Sequence, residues 1–197
     1  MRCRRHGDAG QAFPIYITVV AGLLFVAFAY LAVGQAAATR NEAQTAADAA
    51  ALAAAQDIRD QLAEQWLEKV LDPDFWQDIF DGDVPVVDPC WRADQLAAQN
   101  DAHVENCAPD GLLGYTVDVQ TDEPVGDTIV PGTEDTYANA SAKAVIESRC
   151  TFEPLGEDAG DDDLPTLACE DKEWDLSADD LTDLPHPEDL FEVHLAD

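Results

Sequence analysis

Apolar and polar positions fall into three regimes along this chain. In the first, residues 12–38 are uncharged, with Phe13-Pro14-Ile15-Tyr16-Ile17-Thr18-Val19-Val20 leading into a second large-residue run that ends at Val33. At ~1.5 Å rise per residue, residues 13–33 reach roughly 30 Å, the hydrocarbon thickness of a bilayer. This predicts a transmembrane helix over residues 12–38, with Tyr16 and Tyr30 near the two interfaces that amphipathic rings prefer. In the second regime, residues 39–71, alanine dominates and neither Gly nor Pro occurs between Gln35 and Leu71. The same helix is therefore expected to continue out of the bilayer. There Ala55, Ile58, Leu62, Trp66 and Val70 recur at three- and four-residue spacing, one helical face. Asp72-Pro73 ends it, because the residue before proline is driven out of the helical region.

Beyond residue 72 the period shortens. After an acidic connector and a short helix over residues 93–102, Tyr115, Val117 and Val119 alternate with Thr116, Asp118 and Gln120, as in a half-buried strand. Val130-Pro131-Gly132-Thr133 marks a turn. Residues 137–147 alternate again, with Ala138, Ala140, Ala142, Ala144 and Ile146 on one face. Residues 153–188, rich in Asp, Glu, Pro and Gly and including Asp161-Asp162-Asp163, predict an extended, partly disordered acidic loop. Phe191, Val193 and Leu195 predict a last strand. The fold class is α+β: a long N-terminal transmembrane helix continuing into an Ala-rich extracytoplasmic helix, then a small disulfide-tied antiparallel β domain over residues 72–197.

Charge adds direction to this layout. The 197 residues carry 41 acidic against 10 basic side chains, a formal net charge of −31. Such a field repels phosphate backbones, so nucleic acid is excluded as a partner. Arg2, Arg4 and Arg5 precede the span and nearly all the acid follows it, which predicts a cytoplasmic basic tip over residues 1–11 and a single-pass protein of the cell membrane with its C-terminal domain outside. The rival readings are a buried soluble helix and a secretory signal peptide cleaved after Ala36-Ala37-Ala38. Cys90, Cys107, Cys150 and Cys169 all lie beyond the span, an even number suited to an oxidising compartment, while Cys3 stays on the cytoplasmic side. Three pairings are open; the sequential one, Cys90 with Cys107 and Cys150 with Cys169, is expected.

Chemistry is sparse. Ser141, Ser148 and Ser177 sit in no nucleophile-elbow context, and no phosphate-binding loop or H-E-x-x-H motif occurs. His103, Cys107 and Cys90 could meet at zinc, but thiols outside the cytoplasm oxidise. His6, His186 and His194 read as cytoplasmic or surface residues. Asp78-Ile79-Phe80-Asp81-Gly82-Asp83 misses the D-x-[DN]-x-[DN]-G spacing that wraps oxygens around calcium. No catalytic residue, metal or cofactor is expected.

The alanines carry the remaining information. Ala43, Ala47, Ala50, Ala51, Ala54 and Ala55 share one flank of the helix, and a flank without side-chain bulk allows a second helix to approach closely. This predicts a seam docking another helix of an assembly, either a copy of the chain or a partner. Gly10-Gln11-Ala12, the uncharged helix and then Asn41-Glu42-Ala43-Gln44-Thr45-Ala46-Ala47-Asp48-Ala49-Ala50-Ala51-Leu52-Ala53-Ala54-Ala55 resemble the amino-terminal region of TadE/TadG-like Flp pilus-assembly proteins. The resemblance implies a membrane helix, an exported C-terminal domain and an assembly-associated, non-enzymatic role in a tight-adherence pilus or secretion machine. Pilin-type precursors are commonly cut after a glycine with a glutamate five residues on. Gly10 is followed at that distance by Ile15, so the intact bitopic form is expected, with processing at Gly10 as the alternative. The alternative function is an exported or membrane-anchored acidic, cation-associating domain unrelated to pili.

Overall fold

A computed structural model of the chain describes residues 12–124, 135–156, 160 and 163–196. The basic tip, Gly10 and the turn expected at Val130-Pro131-Gly132-Thr133 lie outside the described residues.

One helix, α1 (Ala12–Glu68), runs through both the span and the Ala-rich segment without interruption. It ends where Asp72-Pro73 breaks it, and a short 3-10 turn (Pro73–Phe75) leads into α2 (Trp76–Phe80). Trp76 folds back to donate its indole N–H to the Lys69 carbonyl at 3.0 Å, satisfying an acceptor that the helix end leaves open. Gly82 stops α2. At φ +72° it lets Gly82 N–H reach the Ile79 carbonyl and Asp83 N–H reach that of Asp78, the double closure of a Schellman cap.

Next come α3 (Cys90–Gln99) and the strands β1 (Ala102–Pro109), β2 (Gly114–Pro124), β3 (Tyr137–Ser148), β4 (Cys150–Phe152), β5 (Leu167–Cys169) and β6 (Glu173–Trp174). The short helix α4 (Pro187–Leu190) and strand β7 (Phe191–Leu195) complete the described chain. The main sheet is antiparallel in the order β1-β2-β3-β7, and a smaller sheet has the order β4-β5-β6. This is an α+β fold with two disulfides.

The Ala-rich half of α1 is its spine. The inner face of the main sheet, with Val117 and Val119 from β2, Ala144 and Ile146 from β3 and Phe191 from β7, packs on α1 from one side, and α3 packs on it from another. Buried Ala93 and Ala97, four residues apart on α3, let that helix approach closely. Near the end of α1 the packing turns aromatic: Trp66 meets Trp76 at 5.3 Å between centroids, Trp76 meets Phe152 edge-on at 5.2 Å, and Phe80 meets Phe191 at 5.6 Å.

The structure corrects several expectations. The helix expected over residues 93–102 starts and ends earlier, and Ala102 opens β1, an edge strand whose register slips between Val104 and Asn106. That bulge hides the alternation a strand would otherwise display. The described residues of the segment 153–188 include regular structure that the composition hides. They supply β5 and β6, where Leu167 and Trp174 are buried, and Arg149 fastens the β5–β6 turn through Glu170 at 3.0 Å and Asp171 at 2.5 Å. The Ala-rich helix expected over residues 39–71 also serves as the core element around which the β domain folds.

Candidate functional site

The features that bear on function lie along α1, whose two halves meet different surroundings. Over residues 13–33 the large apolar side chains are in the open, with Phe25 74% and Tyr30 83% exposed. No part of the most apolar 18-residue stretch is covered by the rest of the chain. In water this surface would be unfavourable at roughly 25 cal/mol per Å², so the segment is a candidate membrane span whose solvent is lipid.

The change comes at Ala43. The six seam alanines, Ala43, Ala47, Ala50, Ala51, Ala54 and Ala55, are all completely buried, as is Ala46 beside them. What covers them is the chain's own sheet and α3, not a second molecule. The expectation that this seam is an open docking flank for another helix is therefore corrected. Small side chains do permit close approach here, but the approach is internal. Helix α1 is gripped from more than one side, which alanine alone makes sterically tolerable.

Two glutamines that drew no attention in the sequence fasten the connector before α3 to this helix. Gln61 exchanges hydrogen bonds with the backbone of Val87, donating to its carbonyl at 3.1 Å and accepting from its N–H at 2.6 Å, while Gln65 donates to the Pro85 carbonyl at 3.0 Å. The available signal was their spacing of four, which places both on one flank of α1.

The four cysteines that follow the apolar span in sequence are joined sequentially. Cys90–Cys107, separated by 17 residues, ties α3 to β1, and Cys150–Cys169, separated by 19, joins directly opposed positions of β4 and β5. Cys90 and Cys107 thus offer no thiolate to a metal. Their neighbour His103 bridges two strands instead: its Nδ1 lies 2.8 Å from Asp122 and its Nε2 2.9 Å from Glu105. The hydrogen bond to Asp122 raises the imidazole above its ordinary pKa, slight desolvation opposes it, and Glu105 adds to the rise. The aspartates around Gly82 serve the cap of α2. Among the described residues no group of three His, Cys, Asp or Glu side chains is arranged to hold a metal ion.

No curated protein and no solved structure matches the chain. A family model does match, on the helix just described: residues 10–57, the span and the buried alanine seam together, are similar to the family described as putative Flp pilus-assembly TadE/G-like.

Proposed function

We propose that this protein is a non-enzymatic, single-pass membrane component of a Flp or tight-adherence pilus-like assembly or secretion apparatus, with its acidic disulfide-tied domain outside the cytoplasm. The observation that carries the proposal is the coincidence of the family match with one unbroken helix that is apolar and bare at one end and domain core at the other. A subunit built this way carries its folded domain on the same unbroken helix as its span, which suits a part that is placed and held rather than one that turns over substrate. Two disulfides fit an oxidising compartment.

The decisive experiment is deletion and complementation in the native cell, scoring surface filaments and exported proteins, with reporters fused after Asp197 to read topology. Loss of filaments or export, restored by the wild-type chain, supports the proposal. Unchanged filaments and export in the deletion strain would refute it and leave an acidic, cation-associating surface domain, the alternative that the net charge of −31 favours.

A further inference from the structure

The end of the domain remote from the apolar span carries a hollow with unusual lining. It measures about 360 Å³ and is bounded by Pro73, Asp74, Gln77, Phe152, Pro154 and Leu155. A second hollow, which shares Phe152, Pro154 and Leu155 with the first, measures about 740 Å³ and brings Leu164, Glu153 and Glu173 to its border. Beside them, Leu155 is 41% and Phe75 44% exposed. The floor is rigid. Phe152 stands edge-on to fully buried Trp76, and prolines fix the backbone on both walls.

The border is acidic. Asp74 lines the first hollow and Glu153 the second, and Asp72 and Asp78 follow the same turn. Lys69 is a nearby cation, and its placement is informative: its ammonium lies 4.5 Å over the Phe75 ring and 3.9 Å from Asp72. On the residues that flank Pro73 and Asp74 in sequence, the chain itself thus seats an ammonium between an aromatic face and a carboxylate.

We propose that this hollow docks a short extended segment of a partner protein in which an aromatic or leucine side chain is flanked by lysine or arginine. The apolar side chain enters between Pro73 and Leu155 onto Phe152, and the flanking cations meet Asp74 and Glu153. A preformed, proline-walled hollow loses little freedom on binding. A second copy of this chain is a poor occupant, because 41 acidic against 10 basic residues set like charge against like. The chemistry of the hollow is independent of the assembly role proposed above.

The test uses the full chain in zwitterionic nanodiscs and a fluorescent peptide with leucine and phenylalanine at its centre and lysines at both ends, followed by anisotropy. Binding should weaken as salt rises, and peptides with glutamine for lysine, or serine for the apolar pair, should each bind on the order of tenfold more weakly. Leu155→Ser, and Asp74→Lys combined with Glu153→Lys, should lower affinity by a similar factor. These side chains are exposed, so the fold persists, which near-ultraviolet circular dichroism checks. Val87→Ser, at an exposed apolar position outside the hollow, should bind as wild type does. Equal affinity for all three peptides, or affinity untouched by the Leu155 and border variants, would overturn the proposal. So would concentration-dependent self-association that Leu155→Ser abolishes, which would assign the hollow to a second copy.

Discussion

The two halves of α1 are both uninterrupted, helical and apolar in composition, yet one is bare and the other sealed. Residues 13–33 bear Phe, Tyr, Leu, Ile and Val on every side, and none of the other described elements covers them. From Ala43 to Ala55 the buried positions shrink to alanine before Ile58, Leu62 and Trp66 restore bulk, and the chain wraps its own sheet and α3 around them. The difference is one of volume rather than of hydrophobicity. Bulky residues all round a helix suit a fluid solvent that adapts to any shape, whereas alanine gains little from lipid and instead permits rigid neighbours to come near on several sides. A helix can thus pass from membrane to protein interior without a break in its backbone, by changing only the size of what it displays.

The largest effect should come from erasing that difference in size. Ala47→Leu with Ala51→Leu forces bulk into a closed interior and should cost about 1–3 kcal/mol per site, seen as a lower denaturant midpoint in detergent. An unchanged midpoint would mean that the seam is open after all. The converse change belongs in the span: Phe25→Arg should disfavour insertion by about 2.5–3.5 kcal/mol, measured by alkaline extraction of membranes, while the domain's midpoint stays fixed. A domain that unfolds along with it would show that the two halves are not separable.

Removing the bond that clamps α3 beside the seam sharpens the boundary. Cys90→Ala with Cys107→Ala opens a loop of 17 residues, and the chain-entropy estimate puts the loss near ~3 kcal/mol. Amide exchange should then rise along α1 past Ala43 and not within the span, and protection that is unaltered past Ala43 would say that the disulfide contributes nothing to the grip. The smallest effect belongs to His103. Because its folded pKa is raised above the ordinary 6.5, its contribution is fully present below that value and is lost as pH rises through the folded one. His103→Gln should lower the melting temperature at about pH 5 and match wild type at about pH 9. A difference that grows toward alkaline pH would reverse the assignment.

How much of this was legible in the residues depended on how many of them spoke together. The span and the helix beyond it were plain, because dozens of consecutive positions agree. Strands β2, β3 and β7 showed through the alternation of Val117 and Val119, of Ala142, Ala144 and Ile146, and of Phe191 and Val193. Strand β1 did not, since its bulge places both Glu105 and Asn106 on the exposed face, opposite Asp118, where one outward residue would stand. The small sheet rests on Leu167 and Trp174, two side chains in a field of carboxylates, too few to make a period. The alanine flank was visible as a surface built for close contact. What it touches was not, because smoothness fixes the distance of approach and says nothing about whose backbone approaches.

A shaft without Gly or Pro from Gln35 to Leu71 has no place to bend. From Val33 to Trp66 it extends about 50 Å. If the bilayer thins or thickens and the span leans by about 20°, the far aromatic end sweeps sideways by about 17 Å. With the span as pivot, a small change of tilt among lipids would thus be magnified along the shaft and would displace the Phe152 hollow far more than the helix beside the bilayer.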